Sequence, residues 1–227
     1  MPAHLLDNPI WESLSSRHRS LALLQGDVAR YPARVAPFLG VATASIDAVA
    51  ALESLVPQGD TALLLGVVPH QPQGWELKHL AQLAQMVCPA RMQEVDGPTI
   101  IELSEAHLAD VLALTALVYP HYFRPRTTDL GRYFGIYQDG RLAAMIGERM
   151  GMEGYTEISA ICTHPDFNGR GYARRLLAWL SNDNLGRGCT PFLHVSQENQ
   201  RAKLLYERNG YRTRREIGFC SLRRIDG

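Results

Sequence analysis

The chain has 227 residues, which can form one large domain or two small ones, and its hydrophobic content of 46% is typical of a globular protein. Its 23 lysines and arginines balance its 23 aspartates and glutamates, so the net charge is zero. Nucleic acids and anionic membranes are bound by basic surfaces, and we therefore expect neither as a partner.

The start of the chain and its cysteines indicate the cellular compartment of the protein. The segment MPAHLLDNPIW lacks the cationic and apolar stretches of a signal peptide, and no apolar run reaches transmembrane length. The four cysteines are Cys88, Cys162, Cys189 and Cys220, and they form no CxxC pair and no set of zinc ligands. We predict a cytoplasmic protein with free thiols and no bound metal.

The first 97 residues are predicted to form a small α/β lobe. Asn8 and Pro9 are typical of a helix start, and SIDAVAALESLV has apolar residues on one helical face. SLALLQ, VAPFLGVAT and TALLLGVV predict strands, whereas WELKHLAQLAQ predicts a second helix. The segment CPARMQEVDGP has chain-breaking residues at both ends, so we place a domain boundary after residue 97.

Residues 98–227 are predicted to form a second domain with the order β-α-loop-β-β-β-α-β-α-β. Ser104 is expected to cap the first helix, and Asp139-Gly140 predicts the turn of a hairpin. Asn209-Gly210 is typical of a helix end, here that of RAKLLYERNGY. This order predicts an antiparallel sheet that becomes parallel near the end of the chain.

A glycine-rich hinge, NGRGYA, joins a predicted strand to a predicted helix at residues 168–173. Successive backbone N–H groups and the positive end of the helix dipole make such a turn suited to an anion. Arg170 and Arg174 would add charge-assisted contacts to phosphate oxygens. The Walker pattern is absent, and the dinucleotide pattern GxGxxG fails because Arg174 occupies the third glycine position. On its own, the hinge also fits a plain strand-to-helix turn.

Two ordered motifs decide between these alternatives. ICTHPDFNGRGYARRLL, followed by LHVSQENQRAKLLYERNGY, resembles the acyl-CoA-binding core of the GNAT acetyltransferase superfamily over residues 98–227. The matching positions are Asn168, Gly171 and Ala173, then Asn199, Ala202 and Tyr206, followed by Gly210-Tyr211. Asn168 departs from the arginine or glutamine usual in the first motif. The resemblance implies an α/β (α+β) GNAT fold, with a mixed, mostly antiparallel sheet flanked by helices.

The resemblance also implies how acetyl-CoA binds, as a cosubstrate that donates the acyl group. The pyrophosphate would lie on the hinge amides, and the pantetheine arm would run along the strand before the hinge. Asn199 would donate a hydrogen bond to the pantetheine, and Ala202 would leave room for it. The implied binding residues are Ile161, Cys162, Thr163, Asn168, Gly169, Arg170, Gly171, Tyr172, Ala173, Arg174, Asn199, Ala202 and Tyr206.

The implied reaction is direct attack of an amine on the thioester in a ternary complex. Glu157 is the first candidate base, because it matches the strand position of the catalytic glutamate of histone acetyltransferases; a salt-bridged glutamate is the alternative. His194 is the second, at a position where ribosomal-protein acetyltransferases carry a glutamate; a packed histidine is the alternative. Tyr206 is the candidate general acid that protonates the leaving thiolate; a tyrosine packed in the core is the alternative. An acetyl-cysteine at Cys162 is disfavoured, since no base lies near it in sequence.

The acceptor is expected to meet the loop after the first helix of residues 98–227. That loop contains Tyr122, Phe123, Arg124 and Arg126, besides Tyr119 and His121. These side chains would suit a small amine that carries a carboxylate or an aromatic group, unless the aromatic rings fill the core and the arginines are solvated. We therefore predict an N-acetyltransferase of small primary amines; a non-catalytic acyl-CoA sensor and a nucleotide-binding protein are the alternatives.

The role of residues 1–97 is open at this stage. Their helix and strand order resembles a degenerate copy of the same fold, as in members like glycine N-acyltransferase that have two related halves. The alternatives are a lid over the site or a surface for a homodimer.

Overall fold

The computed structural model of the protein describes residues 4–118, 120 and 122–225. Within them the α-helices are α1 (Pro9–Ser15), α2 (Val49–Leu55), α3 (Leu108–Val118), α4 (Tyr172–Gly186) and α5 (Gln200–Arg208). The strands are β1 (Leu23–Gln25), β2 (Val28–Arg30), β3 (Leu39–Val41), β4 (Thr61–Leu65), β5 (Trp75–Val87), β6 (Ile101–Glu102), β7 (Tyr133–Gln138), β8 (Arg141–Met152), β9 (Tyr155–Thr163), β10 (Thr190–Ser196) and β11 (Arg212–Arg224).

An eight-stranded sheet in the order β4-β11-β5-β10-β9-β8-β7-β6 is the centre of the protein. Its neighbours pair antiparallel, except for β9 and β10, which are parallel. The predicted mixed, mostly antiparallel sheet is therefore confirmed. A second, three-stranded sheet, β1-β2-β3, contains only residues from the first part of the chain.

Helices cover both faces of the large sheet because alternate residues of a strand point to opposite faces. On β8, Ile146 belongs to the hydrophobic cluster that contains α4, whereas Met145 belongs to the cluster that contains α3. The stripe of Leu176, Leu177 and Leu180 on α4 is fully buried against the first of these faces. The sheet is thus the middle layer of three, and burial of the helical stripes stabilises it.

The segment WELKHLAQLAQ is a strand, and our prediction of a helix there was wrong. Its alanine, leucine, glutamine and lysine residues favour helices in isolation. As β5, however, it hydrogen-bonds to β10 along one edge and to β11 along the other. Its ends are anchored by the buried side chains of Trp75 and Met86. Pairing on both edges outweighs an intrinsic propensity that amounts to tenths of a kcal/mol per residue.

The large sheet crosses the predicted boundary at residue 97. β4 and β5 lie before it in sequence, yet they pair with β11 and β10. A buried cluster likewise combines Leu6 and Ile10 with Phe192 and Ile217. The division into domains 1–97 and 98–227 stays a prediction, and the shared sheet leads us to expect that residues 98–227 need the first part of the chain to fold.

Among the described residues, no helix has both the length and the apolar character needed to cross a membrane.

We predict that the fragment 98–227 does not fold alone. Removing residues 1–97 deletes β5, so β10 and β11 each lose their shared neighbour and expose backbone groups that were paired. The fragment should give amide NMR resonances without dispersion, whereas the full chain should unfold cooperatively on heating. Mixing it with a 1–97 fragment should restore dispersion, and cooperative unfolding of 98–227 alone would contradict the prediction.

Candidate active site

A pocket opens where the two parallel strands separate. β9 and β10 pair only from Thr190 opposite Tyr155 to Phe192 opposite Glu157, and beyond these residues they diverge. The pocket in this opening has a volume of about 510 Å³. Its wall consists of Phe38, Leu65, Ala81, Leu83, Val118, Tyr122, Arg149, Ile158, Ser159, Ala160, Ile161, Cys162, Leu193, His194, Val195, Ser196, Asn199, Ala202, Tyr206 and Phe219.

A β-bulge at Ala160 bends β9 beside this pocket. Ser159 pairs with Gly147 and Cys162 with Met145, so β9 has one residue more than β8 between these pairs. Ala160 has a φ of 50°, in the left-handed region that alanine rarely adopts. The strained residue lines the pocket. The sequence shows no signal for the bulge, since a glycine would be the expected residue there.

The hinge after β9 has the conformation that its glycines permit. Gly169 and Gly171 have φ values of 79° and 78°, and a Cβ atom on either would meet no atom within 4 Å. The backbone conformation, rather than local crowding, therefore requires glycine. Arg170 and Arg174 are exposed, with Arg170 over the Phe167 ring at 5.0 Å.

The other residues of the predicted hinge differ in how deeply they are buried. The Tyr172 side chain is buried in the core, so only its backbone is available to a ligand. Asn168 is exposed and ends a short 3-10 helix, and Ala173 is half-buried in the first turn of α4. Gly171 is the N-cap residue of this 15-residue helix. The hinge thus presents backbone amides and two arginines to solvent.

The second motif reaches the pocket through α5. Asn199, Ala202 and Tyr206 line the wall that faces Ile161 and Cys162 of β9. The Oδ1 atom of Asn199 accepts the N–H of Ala202 at 3.1 Å, so its Nδ2 group is the one that can reach a ligand. Thr163 is absent from the wall. The structure therefore brings five of the residues predicted to bind acetyl-CoA to one cavity.

Glu157 is fully buried and does not line the pocket. Its carboxylate accepts two hydrogen bonds from Arg149, at 2.7 Å and 2.6 Å, and one from His194 at 2.7 Å. Burial alone would raise the pKa of Glu157, but the charge and hydrogen bonds of Arg149, with the hydrogen bond of His194, hold it at about 2. Glu157 is therefore a permanent anion at neutral pH.

His194 lies beside this anion and belongs to the pocket wall, and its side chain is almost fully buried. A carboxylate only accepts hydrogen bonds, so Nδ1 of His194 carries the proton that faces Glu157. Its Nε2 accepts from the amide nitrogen of Gln85 at 3.0 Å. The other two hydrogen bonds of that amide show which end faces His194: its nitrogen also donates to the Leu6 carbonyl and its oxygen accepts from Arg214, both at 2.7 Å. The surroundings thus select one tautomer of the neutral ring.

Cys162 borders the pocket but is a poor nucleophile. Burial raises the pKa of its thiol to about 12, so the reactive thiolate is scarce at neutral pH. Among the residues that the structure describes, no three His, Cys, Asp or Glu side chains form a group that could hold a metal ion.

Of the four residues predicted to bind the acceptor, the structure brings only Tyr122 to the pocket. Phe123 packs on Tyr133 with their ring centroids 5.8 Å apart. Arg124 is exposed, and Arg126 forms a surface ion pair of 2.6 Å with Asp129. Tyr119 and His121 lie outside the described residues.

Comparison with known proteins identifies the family. Residues 133–219 match a family model described as FR47-like protein. A crystal structure from Novosphingobium aromaticivorans, named as an acetyltransferase from the GNAT family, is 33% identical to this chain. That match covers 99% of this chain and 100% of the other, with a TM-score of 0.89. This chain belongs to the GNAT family of acetyltransferases. The resemblance of the two motifs is therefore confirmed.

More distant GNAT structures share the fold. A GCN5-related N-acetyltransferase of Kribbella flavida is 14% identical, with a TM-score of 0.63 over 94% of this chain and 95% of its own. A GNAT acetyltransferase of Colwellia psychrerythraea is 12% identical, with a TM-score of 0.55 over 96% and 97%. No curated protein matches the chain in sequence. The glycine N-acyltransferase-like branch stays a prediction.

Sequence reasoning missed several residues in and around this pocket. Arg149 lies in a hairpin strand with no motif, and Gln85 lies in the segment expected to be a helix. Phe38, Leu65 and Phe219 look like ordinary core residues in sequence.

We predict that Glu157→Gln destabilises the fold by about 3–5 kcal/mol near neutral pH, because it removes the negative charge that accepts two hydrogen bonds from the partly buried Arg149 guanidinium. The folded-state pKa lies below the ordinary value of 4.5, so the carboxylate stabilises the fold above about pH 5. That contribution is lost as the pH falls towards about 2. In urea unfolding, the gap between wild type and variant should therefore shrink from about pH 7 to about pH 3.

Glu153→Gln, at an exposed turn, is the matched control and should follow the wild type at both pH values. A gap between wild type and Glu157→Gln that stays constant on acidification would contradict the charge assigned to Glu157.

Proposed function

We propose that this GNAT protein is an N-acetyltransferase that transfers the acetyl group of acetyl-CoA to a primary amine by direct attack. The observation that carries the proposal is the pocket between the diverging strands. It brings the β9 edge, the α5 motif and Tyr206 together, directly before a hinge that presents backbone amides.

The hinge, the edge of β9 and the pocket suit the successive parts of acetyl-CoA, from the pyrophosphate to the thioester. The hinge amides and the positive end of the α4 dipole would receive the pyrophosphate, with Arg170 and Arg174 beside it. Beyond Glu157 the edge of β9 has no partner in β10, so the pantetheine amides can lie along it as an added strand. The thioester would then reach the pocket near His194 and Tyr206.

His194, rather than Glu157, is the group we propose to take the proton of the amine. His194 lines the pocket, and Glu157 lies behind it and orients the ring through Nδ1. Proton uptake at Nε2 requires the Gln85 amide to move, since two N–H groups would otherwise face each other. A bound amine or a water molecule would take the place of that amide.

Tyr206 is the proposed acid for the leaving thiolate. It lines the same pocket, and its ring lies 5.9 Å from that of Tyr211, centroid to centroid. Protonating the thiolate as it leaves prevents the reverse attack on the new amide. Cys162 has no covalent role in this proposal, since its thiol stays protonated.

We predict that Gly171→Ala weakens CoA binding about tenfold or more, because a side chain enters the space where the pyrophosphate would contact the amides. The left-handed conformation should also cost about 1–2 kcal/mol of stability. Gly140→Ala is the matched control: its φ is 72°, an added Cβ also meets no atom within 4 Å, and it lies in the β7–β8 turn.

Calorimetric titration with CoA should show weaker binding for Gly171→Ala only, although both variants lose similar stability. Equal CoA affinities in the two variants would remove the hinge from the binding site.

We predict that His194→Gln lowers kcat/KM by about 10²–10⁴-fold near neutral pH, with thiol release from acetyl-CoA as the measure. The glutamine keeps a donor for Glu157. An alkylamine has a pKa of about 10.4, so at alkaline pH it is already neutral and needs no base. The deficit of the variant should therefore narrow as the pH rises.

Tyr206→Phe should instead lower kcat at every pH while the affinity for acetyl-CoA changes little. Tyr137→Phe, whose hydroxyl donates to Asp110 outside the pocket, serves as the control for losing a tyrosine hydroxyl. A His194→Gln deficit that is the same at all pH values would show a structural role only. Acetyl-CoA binding without thiol release for any amine would contradict the proposed enzyme.

A further inference from the structure

Part of the pocket wall comes from neither the donor strands nor α5. Six residues form this acceptor chamber: Phe38, Leu65, Ala81, Leu83, Tyr122 and Phe219. Four of them precede residue 97, so the first part of the chain supplies most of the chamber. The chamber adjoins Arg149 and His194 in one continuous pocket. An acceptor that reaches the thioester must therefore lie against these side chains.

The acceptor chamber offers no charge to a substrate. Arg149 is the one lining residue with a permanent charge among the residues the structure describes, and Glu157 neutralises it with two hydrogen bonds. Glu157 itself is shielded from the pocket. A second ammonium group or a carboxylate on the acceptor would lose its hydration here without gaining a partner, which costs several kcal/mol.

The wall of the acceptor chamber consists of well-packed side chains. Phe38, Leu65 and Phe219 are buried in a hydrophobic cluster that continues into α1 and β11. The Tyr122 ring meets the Phe219 ring edge-on, with centroids 6.0 Å apart, and the Arg149 guanidinium lies over the Phe38 ring at 4.9 Å. Packed aromatic walls of this kind favour a flat, apolar ligand group.

We propose that the acceptor is a primary amine carried on an apolar, ring-sized group, with no second charge. This inference rests on the proposed acetyl transfer and names its substrate class. It also gives residues 1–97 a role, since they form the acceptor chamber. An uncharged chamber favours the neutral form of the bound amine, which is the form that attacks the thioester.

Four amines test the proposal with the intact enzyme: phenethylamine, ethylamine, diaminobutane and phenylalanine. Phenethylamine adds a ring to ethylamine, diaminobutane adds a second cation, and phenylalanine adds a carboxylate to phenethylamine. We expect kcat/KM for phenethylamine to exceed that for ethylamine by about tenfold or more, because the ring is buried. Diaminobutane and phenylalanine should both react less efficiently than phenethylamine, by about tenfold or more.

Two variants test whether the acceptor chamber causes this preference among the amines. Tyr122→Ala, at a half-buried position, should bring the ratio of phenethylamine to ethylamine towards one. Ala81→Asp, also half-buried, adds a carboxylate to the wall and should raise the ratio of diaminobutane to ethylamine about tenfold. Tyr137→Ala, outside the pocket, should leave both ratios as in the wild type.

The outcomes separate the two proposals. If calorimetry shows no acetyl-CoA binding, or no amine releases thiol, acetyl transfer and the acceptor class fail together. If thiol is released but diaminobutane or phenylalanine is preferred over phenethylamine, only the acceptor class is overturned. Ratios that do not change in Tyr122→Ala and Ala81→Asp would likewise overturn it.

Discussion

A row of polar side chains crosses five neighbouring strands, and the site depends on it. The polar row consists of Arg149 on β8, Glu157 on β9, His194 on β10, Gln85 on β5 and Arg214 on β11, each hydrogen-bonded to the next. Glu157 is the last residue of β9 that pairs with β10. The ion pair thus holds β8, β9 and β10 together at the point where the pocket opens. Without it, the separation of the strands would leave an unsupported edge at the site.

The polar row explains why the first part of the chain is integral to the site. Gln85 reaches His194 only because β5 lies between β10 and β11. The row then continues to Asp7, which binds both Arg214 and Arg215. Burial alone would raise the pKa of the Asp7 carboxyl, but the hydrogen bonds and charges of Arg214 and Arg215 hold it at about 2. Residues far apart in sequence therefore fix the orientation of one imidazole.

The parts of the site that can be predicted from the sequence are those encoded by residues close together in the chain. The hinge glycines, the helix stripe of α4 and the Asn199 motif depend on neighbours a few residues away, and all three appear in the structure as elements. The polar row has no such pattern, because its members are separated by whole elements. The prediction of a helix at β5 was wrong for the same reason. Its helix-forming residues are visible in the sequence, whereas its two strand partners, β10 and β11, follow it by more than 100 residues.

The burial of Glu157 also supports our proposal that His194, rather than Glu157, is the base. Its pKa of about 2 lies far below that of an alkylamine, so direct proton transfer from an ammonium group to it is strongly unfavourable. The same low pKa makes Glu157 a dependable anion, which can hold the Nδ1 proton of His194 and stabilise a positive charge on the ring. The pairing with Arg149 therefore weakens Glu157 as a base and strengthens it as a positioning group. A neutral acceptor chamber fits this arrangement, since the charges needed for the reaction are already paired behind the pocket wall.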